Sequence, residues 1–282
     1  MDIVRNPAEV QSQCLSWREE KLRIALVPTM GFFHAGHESL MMEGRRRSDR
    51  LVVSLFVNPA QFGPDEDLDR YPRDPEQDIR TAERLGADIL FMPEAGDMYA
   101  ADHAAWVEVP DLSASLCGCS RPAHFRGVAT VVAKLFHLVV PHIALFGQKD
   151  WQQLVIVRRM ARDLAFPVEI IGLPIVREMD GLALSSRNAY LSPDERRQAP
   201  HLYKGLELAR TMVIQGITDT AFLREAIRRH WAENFSLGRE DYLSFVHPEN
   251  LRPVERISGA TLVAAAMFTL RARLIDNVFI NP

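Results

Sequence analysis

Cysteine is nearly absent: three residues in 282, with Cys117 and Cys119 only two apart, make no disulfide framework and fit a reducing compartment. A zinc site is equally poorly served. Cys117, Cys119 and His124 could offer three ligands, but no C-x-x-C pair or distant histidine completes the set, and small buried thiols are the simpler reading. Long apolar runs are also missing. The first, Leu51 to Val57, is far too short to span a bilayer, and the N-terminal MDIVRNPAEV lacks the basic-then-apolar order of a signal peptide. A cytoplasmic protein with no membrane partner is expected. There is little net charge: a formal −4 and a pI near 6.2 exclude the broad basic field that binds nucleic acid, so small anionic substrates must meet locally placed cations. Neither common glycine-rich nucleotide fingerprint occurs, G-x-x-x-x-G-K-[ST] or G-x-G-x-x-G, which argues against kinase-type transfer of a terminal phosphate.

What is present is alternation. Short apolar runs (IALVPTM, LVVSLFV, DILFMP, HIALFG, VEIIGLPIV) take turns with helical patterns up to about residue 176, as in βαβ units around a parallel sheet. The runs are almost continuously apolar, which points to helices on both faces of the sheet. FRGVATVVAKLFHLVV has apolar residues at helical spacing and predicts another packing helix. After Arg177 the texture changes to a polar DGLALSSRN stretch, then a charged helical region from Asp194 to Asn234 opened by Pro193. DYLSFVH and TLVAAAMFTLRARLIDNVFI follow as strands. The fold class is therefore α/β: a Rossmann-like, doubly wound parallel-sheet domain over residues 1–176, then a smaller α+β domain over 177–282. We expect the second to act as a lid that excludes water.

Four clusters carry chemistry. Pro28-Thr29-Met30-Gly31-Phe32-Phe33-His34-Ala35-Gly36-His37 lies directly after the first apolar strand and directly before a helical pattern, where helix-terminal N–H groups suit a phosphate. His34 and His37 are three apart and can face one anion, and Gly36 keeps the backbone accessible. Phe146-Gly147-Gln148-Lys149-Asp150-Trp151-Gln152-Gln153 follows another strand. Lys149 suits charge developing on phosphates, Asp150 a ribose hydroxyl or a helix cap, and Gln153 would share the Lys149 helix face. In Asp180-Gly181-Leu182-Ala183-Leu184-Ser185-Ser186-Arg187-Asn188, two hydroxyls and a guanidinium form a compact set of phosphate donors, although a capping loop has the same composition. Val57-Asn58-Pro59-Ala60-Gln61-Phe62-Gly63 follows LVVSLFV; the neutral amides of Asn58 and Gln61 suit a hydroxy acid, and an Asn-Pro turn is the plainer alternative.

His-x-Gly-His after a strand resembles the signature of the nucleotidylyl-transferase superfamily. PTMGFFHAGH, FVNPAQFG, SRPAHFRGVATVV, FGQKDWQQL and DGLALSSRN, in this order, resemble the pantothenate synthetase (pantoate-beta-alanine ligase) family, densely over the first 190 residues and in length and texture beyond. The resemblance implies that ATP and pantoate give pantoyl adenylate and pyrophosphate, and that beta-alanine then releases pantothenate and AMP. It also implies an ATP site made of Met30, Gly31, His34, Gly36, His37, Gly147, Gln148, Lys149, Asp150, the Val176 backbone, Leu184, Ser185, Ser186 and Arg187. His37, His34, Lys149 and Arg187 would be catalytic, with His37 the candidate proton donor. Gln61, Gln153 and Asn58 would serve pantoate, and Arg121 the carboxylate of beta-alanine. Mg2+ accompanies ATP in this family, at ligands the sequence does not locate, and the family implies a homodimer.

Phe32 and Phe33 stand where a small or polar residue and then Leu are commoner, and Cys117 where some members have a carboxylate. Two rival readings remain. One is a superfamily enzyme that transfers AMP to a phosphate acceptor, against which neutral Gln61 and Gln153 argue. The other is a nucleotide-binding regulatory module without turnover.

Overall fold

A computed structural model describes residues 1–64 and 66–281. The chain divides into two compact units. Met1–Ser113, Arg121–Gln148 and Gln153–Pro174 form the first; Ala114–Ser120, Lys149–Gln152 and the chain from Ile175 onward form the second. The expected boundary at 176/177 lies close to the start of that last stretch. Two short segments that the sequence reading gave to the first domain group with the second unit instead.

The first unit is built on six parallel strands: β1 (Asp2–Val4), β2 (Ile24–Thr29), β3 (Arg50–Leu55), β4 (Ile89–Phe91), β5 (Ile143–Gly147) and β6 (Glu169–Leu173), in the order β1-β4-β3-β2-β5-β6. Ala25, Val27, Leu51 and Val53 pack with Leu40, Met41 and Ala82 in one core cluster. Their strand neighbours Leu26 and Val52 are fully buried as well. Because successive side chains point to opposite faces, both faces of the sheet are covered, and this is why the strands read as unbroken apolar runs. The helix expected in FRGVATVV is present at His124–Val139. From β2 the chain adds β3 and β4 on one side, then returns to add β5 and β6 on the other. The order reverses between β2 and β5, and open α/β sheets bind ligands at the carboxyl ends of the strands at such a point.

In the second unit, β7 (Arg239–Val246), β8 (Thr261–Phe268) and β9 (Arg273–Ile280) form an antiparallel sheet in sequence order. Leu202, Leu206, Leu223, Ile227 and Trp231 pack with Val263, Ala265, Met267 and Val278 in its core. The long helical region read from the sequence is three helices, Pro193–Gln198, His201–Ile214 and Thr220–Asn234. The first has a capping box in which Ser192 and Glu195 satisfy each other's amides. Pro200, which brings no N–H, sits at the next start, and the chain breaks again after Gln215, before Asp219 caps the third helix.

Candidate active site

The loop leaving β2 is held open by a buried acid. Gly31 and Phe32 both have left-handed backbone, with φ of 86° and 52°, a conformation that costs a side-chain-bearing residue about 1–2 kcal/mol. Asp78 offsets that cost. Its Oδ2 accepts from the Phe32 amide at 2.8 Å and its Oδ1 from the Phe33 amide at 2.7 Å. A Cβ on Gly31 would lie 2.9 Å from the same carboxylate, so the position admits no side chain without displacing the clamp. Burial pushes the Asp78 pKa up, and the Phe33 and Phe32 amides oppose that shift.

The helix Ala35–Arg47 begins directly after this turn, with His34 as its extended N-cap. The His34 Nδ1 accepts from the Gly36 amide at 3.1 Å, and the His37 Nδ1 lies 3.4 Å from the His34 amide, so the two imidazoles form a reciprocal capping box. Their ring centroids are 4.1 Å apart. Phe33 packs against the core and its ring lies 5.6 Å from that of His37. With Nδ1 used as an acceptor, each neutral imidazole carries its proton on Nε2. Two N–H donors are thereby fixed at the positive end of a helix, an arrangement suited to phosphate.

The loop after β3 is held from below. Asn58 is 1% exposed; its Nδ2 donates to Gln61 Oε1 at 3.2 Å and to the Gly127 carbonyl at 3.1 Å, while its Oδ1 accepts from the Ala60 amide at 3.3 Å. Its amide is occupied within the fold and orients Gln61. The Gln61 Nε2 lies 2.9 Å from Met30 Sδ, which brings the loops after β2 and β3 together. Gly127 lets the helix His124–Val139 approach so closely that a Cβ there would sit 2.2 Å from the Ala60 carbonyl oxygen. Arg121 is already engaged: its Nε donates to both Glu66 oxygens at 2.9 and 3.0 Å, its Nη2 contacts Glu66 as well, and Nη2 reaches the Gln61 carbonyl at 3.3 Å. Any carboxylate received by Arg121 must therefore compete with Glu66.

β5 ends at Gly147, and Gln148 Nε2 donates to the Gly172 carbonyl at 3.2 Å. Gln153 is half-buried on the helix Trp151–Asp163.

Among second-unit residues, Lys149 is half-buried and Asp150 exposed, and both lie in a 3₁₀ turn ahead of that helix. The α-helical spacing assumed for Lys149 and Gln153 therefore does not apply. The Leu184 amide donates to the Val176 carbonyl at 3.0 Å, closing a hairpin that delivers Ser185, Ser186 and Arg187. Ser185 Oγ caps the next 3₁₀ turn by accepting from the Arg187 amide at 3.3 Å. Gln152, passed over in the sequence, accepts from the Cys117 amide at 3.0 Å and donates to the Ser115 carbonyl at 2.7 Å. The Cys117 thiol lies 3.3 Å from the Tyr242 hydroxyl and 3.6 Å from both terminal nitrogens of Arg273. Among the described residues no group of three or more His, Cys, Asp or Glu could hold a metal ion.

The family model for pantoate-beta-alanine ligase matches residues 2–279. The chain belongs to the pantoate-beta-alanine ligase family. Among its relatives in this family, pantothenate synthetase from Nitratidesulfovibrio vulgaris (strain DSM 19637 / Miyazaki F) is 58% identical over 280 residues, 99% of either chain. The crystal structure of pantothenate synthetase from Thermus thermophilus superposes with a TM-score of 0.95 at 46% identity, covering 100% of both chains. A pantoate-beta-alanine ligase from Francisella tularensis, solved in complex with beta-gamma ATP and beta-alanine, superposes with a TM-score of 0.82 at 30% identity, over 99% of this chain and 97% of that one. Asp78, Glu66 and Gln152 were missed in the sequence reading of this ligase, and each does its work through residues distant in the chain.

Proposed function

We propose that this ligase condenses pantoate with beta-alanine in two steps on ATP. A pantoate carboxylate oxygen attacks the α-phosphorus, the bond to the departing pyrophosphate breaks, and pantoyl adenylate forms. The amine of beta-alanine then attacks the acyl carbon, AMP leaves, and the amine loses a proton to give pantothenate. A free carboxylate would have to expel oxide, whereas the adenylate expels a stabilised phosphate monoester. The enzyme's work is positioning and charge stabilisation.

The observation that carries this reading is the pair of adjacent, Nδ1-anchored imidazoles of His34 and His37 at a helix start beside the β2/β5 switch point. Their Nε2 protons would meet the phosphates, with His37 donating as charge builds on the leaving group. Met30, Gly31, Gly36, Gly147 and Gln148 would line the nucleotide, Asp150 and the Val176 backbone would take ribose and adenine, and Lys149 with Leu184, Ser185, Ser186 and Arg187 would face the triphosphate. Gln61 and Gln153 would grip pantoate, with Asn58 fixing the rotamer of Gln61. Arg121 would serve beta-alanine by exchanging Glu66 for the substrate carboxylate. Mg2+ would enter with the triphosphate and would help neutralise the departing pyrophosphate. A cytoplasmic homodimer completes the reading, and no described helix is long and apolar enough to cross a membrane.

Phosphorus NMR of a reaction with ATP, Mg2+, pantoate and beta-alanine tests this function. Equimolar AMP and pyrophosphate are expected. ADP, or adenylylation of an added phosphate ester in place of pantoate, would overturn it.

A further inference from the structure

Two neighbouring residues of β9 touch Arg177, at the foot of the hairpin that leads to Ser185–Arg187, and the backbone of Lys149. Asp276 and Asn277 are 3% and 5% exposed. Asp276 takes a two-pronged ion pair from Arg177, at 2.6 Å from Nη1 and 2.8 Å from Nη2. Arg177 stands at the foot of the hairpin that delivers Ser185 to Arg187. Its Nη1 also donates to the Gly181 carbonyl at 3.0 Å in the hairpin turn, and its guanidinium lies 3.6 Å from the centre of the Tyr203 ring. The hairpin is locked a second time by Arg196, which binds Glu178 at 2.5 Å and Asp180 at 2.6 Å. Next in the chain, Asn277 Nδ2 donates to the Lys149 carbonyl at 2.9 Å. The Asn277 amide donates to Asp276 Oδ1 at 2.7 Å, which joins the two anchors.

We propose that Asp276 and Asn277 are positioning residues that fix the spacing between Lys149 and the Ser185–Arg187 segment, so that the ammonium and the guanidinium meet one triphosphate as a single rigid array. The inference rests on the reading of Lys149 and Arg187 as phosphate ligands. Its physical basis is the geometry of a two-point electrostatic clamp: a displacement of about 1 Å in either cation forfeits much of the stabilisation at the transferring phosphate. β9, paired along its whole length with β8, is a stiffer reference than the two loops it holds. Burial pushes the Asp276 carboxyl up, opposed by Arg177, the Asn277 amide and the charge of Lys149, so the acid is tied electrostatically to both segments.

The test compares full-length Asp276→Asn and Asn277→Ala with the parent protein, each alone and combined with Lys149→Ala, and with Lys149→Ala and Arg187→Ala alone, in steady-state assays with ATP, Mg2+, pantoate and beta-alanine. Asn277→Ala removes the amide that holds the Lys149 carbonyl and leaves the Arg177–Asp276 pair in place, so it carries the test if Asp276→Asn does not fold. The expected result is a fall in kcat/KM for ATP of about tenfold or more, with KM for beta-alanine changed less than about twofold, and an added loss below about twofold in the Lys149→Ala background. A purely structural role predicts the same loss for all three substrates and full additivity with Lys149→Ala; that outcome overturns the proposal. Parent-like kinetics in both β9 variants, with Lys149→Ala crippled, overturns it too and leaves the phosphate reading standing. Parent-like kinetics in Lys149→Ala and Arg187→Ala removes the phosphate reading and the proposal together.

Discussion

The Asp78 carboxylate accepts from the amides of Phe32 and Phe33 at 2.8 and 2.7 Å, some forty-five residues away in the chain. It supports two consecutive left-handed residues just before the His34 cap. Asp78→Ala would remove the acceptor that the Phe32 and Phe33 amides use, at about 1–3 kcal/mol each. We expect a lowered thermal midpoint and a fall of about tenfold or more in single-turnover pyrophosphate formation at saturating ATP. Asp78→Asn, which keeps one acceptor oxygen, should fall between the two. A folded Asp78→Ala protein with the parent rate would show that the loop holds itself.

Gly127→Ala tests the floor beneath Gln61. The new Cβ would lie 2.2 Å from the Ala60 oxygen and 2.6 Å from the Gln61 nitrogen, both backbone atoms. Such overpacking costs about 1–3 kcal/mol and moves the Pro59–Gln61 turn. KM for pantoate should rise with KM for ATP little changed, as steady-state titration of each substrate would reveal.

Charge at Gln61 separates shape from electrostatics. Gln61→Ala should raise KM for pantoate about tenfold or more, the usual effect of removing a hydrogen-bonding group from a specific site. Gln61→Glu keeps the shape but sets a negative charge against the substrate carboxylate, and should be worse than Gln61→Ala. Equal pantoate affinity in all three proteins would place pantoate elsewhere.

His142 makes stability depend on pH. Its Nδ1 accepts from the Ile24 amide at 3.0 Å, where β2 begins. Burial, and then Arg18 and Arg23, depress its pKa below 6.5, with Asp49 opposing. A depressed histidine contributes stability above its unfolded value of about 6.5 and loses it as pH falls through the folded value. His201 and His230 shift in the same direction. The thermal midpoint should therefore decline below about pH 6.5, and less steeply in His142→Gln. An identical slope in the variant would remove His142 as a cause.

Much of this architecture was legible because strand ends are legible. IALVPTM and LVVSLFV announce buried parallel strands, so the loops that follow them had to emerge at the same edge of the sheet. Asp78 was hidden because an acidic residue in the first turns of a helix is ordinary, and only a long-range contact gives it meaning. Asn58 looked like a ligand but its amide is used within the fold, and Arg121 looked available until Glu66 was placed beside it. Gln152 and Gln153 are the same residue type side by side; the fold buries the first as a strut to Cys117 and leaves the second half-buried. Pairings across distant segments, such as Arg177 with Asp276, leave no periodic trace in a single sequence.

The most direct test of the central claim is rapid-quench measurement of pyrophosphate from ATP, Mg2+ and pantoate with beta-alanine withheld and then added. A burst near one equivalent of enzyme, followed by steady AMP and pantothenate only after the amine arrives, is the predicted result. Pyrophosphate that appears only when beta-alanine is present, or none at all from an enzyme that binds ATP, would contradict a bound pantoyl adenylate.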